Sequence, residues 1–292
     1  MYNTDMEESL YQGVLTVSGK TAFLAGADGA RYLEGEKIWS GYLTHFRGLS
    51  VSARRLPQKD YETGRPIIIV WPDEPAAPEP FADLYFNERL VKYPASFLGH
   101  MAVNVNGAIF NFSHKLNENE AMRPEEYFYR PALGEFAPHP ETGRDNVDDP
   151  GKPYYDKFGR LFMRTIHVLR LTGLDAARLS GFFYDVLAEI KNTPADPRRP
   201  GEYTGFSVFT KSCATIIRDG LRHLGFDKIR GILPRDLFVN VAYYFLKQSK
   251  RPSIKASRLT CRQLLVPEAA PSAMPPILNP VNRYKNCRLK RR

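Results

Sequence analysis

Two kinds of side chain in this sequence could do nucleophilic chemistry together: an imidazole that takes up a proton near neutral pH, and a thiol that can lose one. His100 opens the stretch LGHMAVNVNGAIFNFSH, with Asn111, Ser113 and His114 near its far end. Cys213 stands in SCATIIRDGLRHLGF, directly after Ser212. An imidazole beside a thiol serves as general base, and a polar group on the far side of the ring holds it in one tautomer.

The elements around these residues must bring them together. Asn106-Gly107 predicts a type I′ hairpin turn, because both central residues need positive φ. A two-residue turn pairs Val105 with Ala108, Val103 with Phe110 and Met101 with Phe112. That register places Met101, Val103, Val105, Phe110 and Phe112 on an apolar face, and His100, Ala102, Asn104, Asn111 and Ser113 on the other. His100 is then opposite Ser113 and diagonal to Asn111, so either could orient the imidazole, while His114 falls on the apolar face.

Ser212 is suited to cap a helix that begins at Cys213, with Gly225 as its stop. Cys213 shares a stripe with Ile216, Ile217, Gly220 and Leu224, which turns its sulfur toward the core side. Its place in the first turn exposes it to the positive end of the helix dipole, which favours thiolate, and a nucleophilic Cys213 is expected to alkylate readily near neutral pH. The competing reading treats Cys213 as a small buried hydrophobe and His100 as a strand-edge histidine bonded to backbone.

A histidine opening a hairpin, a polar residue after its turn, and a cysteine at a helix N-terminus resemble the papain-like superfamily of NlpC-type peptidoglycan amidases and lecithin:retinol acyltransferase-like enzymes. The histidine strand precedes the cysteine helix, as in the circularly permuted branch. The resemblance spans residues 95 to 115 and 203 to 226, and Ser212 stands where permuted members often carry Asn.

The resemblance implies an α+β, papain-like, circularly permuted fold, with an antiparallel sheet packed on a central cysteine-bearing helix and additional helices. It makes Cys213 the nucleophile, His100 the base and Asn111 the orienting group, with Ser113, His114 and Tyr203 as alternatives or oxyanion contributors. It implies a cysteine hydrolase acting on amide bonds of a cell-wall peptide, with no cofactor and no metal. A thioesterase, acyltransferase or protease would use the same thiol site, and a non-enzymatic interaction module is the reading outside enzymes.

The rest of the chain frames that core. With 292 residues, 43% of them hydrophobic, it can bury a sizeable interior. Three scattered cysteines give neither a disulfide framework nor metal-ligand spacing. His114, His139, His167 and His223 lack paired zinc spacing, and the carboxylates of residues 140 to 157 lack the spacing of a calcium loop. No apolar run is long enough for a transmembrane span, and the polar, acidic start is no Sec-type signal. The expectation is a protein cytoplasmic as synthesised. If its substrate is peptidoglycan it needs a signal-peptide-independent export route, as an antibacterial effector toxin does, with a secretion or immunity partner.

Residues 1 to 80 read as a β-rich region, 81 to 249 as the catalytic core with loop and helical insertions, and 250 to 292 as a basic, Pro-rich arm. Helices are expected in FGRLFMRTIHVLRLTG, in LDAARLSGFFYDVLAEIKN and in PRDLFVNVAYYFLKQ, the last with Pro234 in its first turn. Residues 250 to 292 hold eleven Lys or Arg and one acid, Glu268, a balance of +10; the total of +9 leaves −1 for residues 1 to 249. The arm is expected to be extended and partly disordered, and to be able to contact an anionic surface.

Overall fold

The computed structural model describes residues 9–59, 64–73, 79–91, 96–131, 158–194, 196–199, 201–249 and 251–290. His139 and the acidic stretch 140–157 lie outside them. The chain divides into two compact units, one of residues 1–76, 125–162 and 264–269, the other of residues 77–124, 163–263 and 270–292. The architecture is mixed α+β, and every strand pairing within its sheets is antiparallel.

The first unit is built on β1 (Tyr11–Ser18), β2 (Thr21–Ala25), β3 (Arg31–Tyr32), β4 (Ser50–Lys59) and β5 (Pro66–Pro72), in the order β3-β2-β1-β4-β5. Helix α1 (Ser40–Phe46) joins this unit and buries Tyr42, whose hydroxyl donates to the Tyr129 carbonyl at 2.5 Å. That bond satisfies the one polar atom of a fully buried ring.

The second unit carries β6 (Phe81–Asn87), β7 (Arg89–Leu90), β8 (His100–Val105), β9 (Ala108–Asn111) and β10 (Glu120–Met122). Helices α2 (Pro124–Tyr129) and α3 (Arg160–Met163) come next in the chain, and β11 (Ile166–Thr172), α4 (Ala176–Asn192), α5 (Cys213–His223) and α6 (Pro234–Tyr243) follow. The last elements are β12 (Lys255–Cys261), β13 (Ser272–Ala273) and α7 (Pro280–Lys290). The main sheet runs β10-β9-β8-β6-β11-β12. One face of it, with Phe86, Met101, Val103, Phe110 and Leu169, packs against Phe183, Ile217, Leu221 and Leu237 from the helices.

Local signals place several elements as expected. Asn106 and Gly107 have φ of 51° and 93°, and the pairs Val105–Ala108 and Val103–Phe110 set the hairpin register. Ser212 caps α5, Gly225 follows it with φ of 80° and Pro234 starts α6, and to these the structure adds Asp175 as the cap of α4.

Two expectations are corrected. FGRLFMRTIHVLRLTG is not a helix: after the single turn of α3, IHVLRLT forms β11, sandwiched between β6 and β12 along its whole length. Its β-branched residues suit the strand, and backbone pairing on both edges outweighs a helical spacing of apolar residues.

The extended, disordered arm is likewise absent among the described residues. Residues 255–261 form an edge strand, and 280–290 form a helix with Asn279 Oδ1 accepting from the Val281 amide at 2.9 Å. Helix α7 is pinned through the buried Asp236, whose carboxylate accepts from the amides of Leu278 and Asn279 and from Asn282 Nδ2, all at 3.0–3.1 Å. A buried carboxylate needs such donors, and the arm supplies them.

Candidate active site

Everything in the candidate site belongs to the second unit. The His100 Nε2 lies 2.7 Å from Asn111 Oδ1, the diagonal pairing that the hairpin register requires. Asn111 is buried, and its Nδ2 donates to the Glu118 carbonyl at 2.7 Å. That second bond fixes which way the amide points. Oδ1 must therefore face the ring as an acceptor, the neutral imidazole carries its proton on Nε2, and Nδ1 holds the basic lone pair.

Gly99 delivers the chain into this geometry. Its φ is 73°, and a Cβ there would sit 2.6 Å from the Asn87 carbonyl oxygen and 3.1 Å from the Phe86 ring. Asn87 is the register partner of His100 across β6 and β8. Gly99→Ala should therefore destabilise the protein by about 2 kcal/mol or more, from left-handed backbone and a backbone clash together. Denaturant unfolding measures it; an unchanged midpoint would contradict this account of the entry into β8.

Cys213 begins α5, and its local structure follows from its neighbours. Ser212 Oγ accepts from the Thr215 amide at 3.3 Å, and Thr215 Oγ1 accepts from the Ser212 amide at 2.7 Å, a reciprocal capping box. The cap takes the third amide of the helix and leaves those of Cys213 and Ala214 directed at the sulfur. The Met101 amide of β8 is also close enough to the sulfur to favour its charged form. The β8–β9 ladder stops at Ala102–Asn111, so this edge of β8 is left to the thiol rather than to a strand. The sulfur thus meets β8 at the backbone of Met101, while the His100 side chain leaves the other face of that strand, and among the described residues no hydrogen bond joins the two side chains.

The thiol is nonetheless not a resting thiolate. Burial pushes it from its ordinary 9.0 up to about 11, outweighing the three amides that pull it down. Ready alkylation near neutral pH, expected of a nucleophilic Cys213, is not what this environment favours: the half-buried Cys213 packs on the helix-side core, and low polarity disfavours its charge. Iodoacetamide should modify Cys213 slowly at pH 7 and faster toward pH 11, followed by mass spectrometry of the labelled peptide. The sign of the stability effect follows. A thiol whose folded value is raised contributes stability that is complete below pH 9 and is lost as pH rises through about 11. Cys213→Ala should therefore flatten the alkaline fall in Tm.

The other candidates have different surroundings. The Ser113 amide donates to Asn119 Oδ1 at 2.9 Å, and its hydroxyl accepts from the Lys115 amide at 3.3 Å. His114 is exposed; its carbonyl accepts from the Tyr203 amide at 2.7 Å and its ring lies 5.9 Å from that of Phe206. Tyr203 is buried, with its hydroxyl interacting with Lys211, two residues before Cys213. The Met101 amide and the Glu118 carbonyl are the participants sequence reasoning missed. Backbone groups leave no mark in residue identity, though the hairpin register could have pointed to Met101.

His167 lies in a second polar cluster, with Nε2 at 3.0 Å from Glu88 Oε1 and Ser272 Oγ donating to Glu88 Oε2 at 2.8 Å. Among the described residues no three His, Cys, Asp or Glu side chains gather to hold a metal, and no helix is long and apolar enough to cross a membrane. No protein-family model, no curated protein and no solved structure matches the chain.

Proposed function

We propose that the second unit is a cysteine-dependent hydrolase of amide or acyl bonds, with a circularly permuted papain-like arrangement. The observation that supports it is the oriented His100–Asn111 pair on the strand whose next residue, Met101, has its backbone amide beside the Cys213 thiol. A packing cysteine requires no buried asparagine committed to one imidazole nitrogen.

In the proposed reaction the neutral thiol gives its proton to His100 Nδ1 as Sγ attacks the carbonyl carbon. The Cys213 amide stabilises the oxyanion once substrate displaces it from sulfur. His100 returns the proton to the departing amine or alcohol, leaving a thioester. Water then attacks the thioester with His100 again as base, releasing the acid and restoring the thiol. Deprotonation during attack suits a thiol held near 11, because no standing charge has to be stored in a site that disfavours it.

The resemblance to permuted papain-like enzymes favours an amide in a peptidoglycan peptide as the substrate, and hence an exported antibacterial effector. The test is digestion of purified peptidoglycan with the full chain, reading new amine and carboxyl termini by mass spectrometry. Cleavage expected of this reading appears at one type of amide; an intact polymer, with thioester substrates hydrolysed instead, would replace the amidase by a thioesterase on the same thiol.

A further inference from the structure

We propose that α7 and the cavity at its foot form a docking surface for anionic phospholipid bilayers. This concerns where the protein sits and does not rest on the thiol chemistry. Residues 270–292 hold six Lys or Arg and no Asp or Glu. On α7, Val281 is 60% and Tyr284 62% exposed, and Leu278 just before it is 47% exposed. Val281, Tyr284 and Arg288 recur at helical spacing on the outer side, while Asn282 is buried on the side bonded to Asp236. Apolar side chains held in water among cations are what a helix lying in a lipid headgroup layer presents. Its cations meet phosphates and its apolar residues reach the acyl boundary.

The second observation is a cavity of about 500 Å³ whose walls include Arg230, Leu233, Asp236, Leu278, Val281 and Lys285. Its two cations oppose each other: burial, and then the charge of Arg230, hold Lys285 below the ordinary lysine range. The Lys285 ammonium lies 5.8 Å over the Tyr243 ring. Asp236 is the acid lining this cavity, and both of its oxygens are already occupied by Leu278, Asn279 and Asn282. A phosphate between Arg230 and Lys285 would relieve their repulsion, and Leu233, Leu278 and Val281 suit the less polar part of a lipid beside its phosphate. Nucleic acid would satisfy the cations equally but leave Val281 and Tyr284 without a partner for their apolar surface, so the bilayer is favoured.

The test is sedimentation of the full chain with vesicles of phosphatidylglycerol and phosphatidylcholine against phosphatidylcholine alone. Binding to the anionic vesicles should be about tenfold tighter or more and weaken with salt. Arg230→Ala with Lys285→Ala, and Val281→Ser with Tyr284→Ser, should each lose about tenfold in affinity, with melting curves checking the fold. Cys213→Ala should bind vesicles as the parent does. Two results would overturn the proposal. One is duplex DNA bound more tightly than anionic vesicles with the Val281/Tyr284 variant unaffected, which would mean a polyanion site. The other is glycerol phosphate bound in solution with no vesicle binding, which would mean a site for soluble phosphates.

Discussion

Cys213→Ala should abolish hydrolysis, lowering kcat/KM by about 10³-fold or more, while leaving the melting temperature at pH 7 nearly unchanged. The two halves of this expectation have separate causes. Losing one sulfur from a half-buried position removes little apolar area, and at pH 7 the thiol is neutral, so no buried charge is lost with it. Losing the nucleophile removes the covalent step altogether, and the oxyanion amide alone cannot replace it. The measurement is steady-state turnover of a peptide or acyl substrate, paired with thermal melting of both proteins. Full activity in the alanine variant, on a substrate the parent cleaves, excludes the thiol mechanism and returns Cys213 to packing.

His100→Ala should cost about 10³-fold in kcat/KM and Asn111→Ala about 10- to 10²-fold, because the base moves the proton and the amide only holds the base. Asn111→Asp gives the sharper result. A carboxylate facing Nε2 favours the imidazolium, raises the pKa of the base and should move the acidic limb of the kcat/KM profile to higher pH. The same change replaces the Nδ2 donor to the Glu118 carbonyl by an acceptor in a buried site, and should cost about 1–3 kcal/mol of stability. A merely structural Asn111 would show the stability loss with the pH profile unmoved, so the pair of measurements separates positioning from packing.

Much of the candidate site was legible because it is written in local codes. Asn106-Gly107 demands one turn geometry, and a strand's period of two then decides which residues share the His100 face. Ser212 and Thr215 start α5 whatever lies around them, and they put Cys213 in its first turn. Local signals end there, because pairing partners distant in sequence are chosen by energy that no short window contains. β11 carries a spacing of apolar residues that a helix could use, and only β6 and β12 on its two edges make it a strand. The basic C-terminal segment has few apolar residues to bury, yet it is ordered through Asp236, a carboxylate 42 to 46 residues away whose burial demands the donors that segment offers. The thiol's protonation was decided in the same way. The sequence by itself determined where Cys213 lies on its helix, and with it the dipole that lowers its pKa; the tertiary structure alone determined how much water reaches the sulfur, and desolvation is the larger effect.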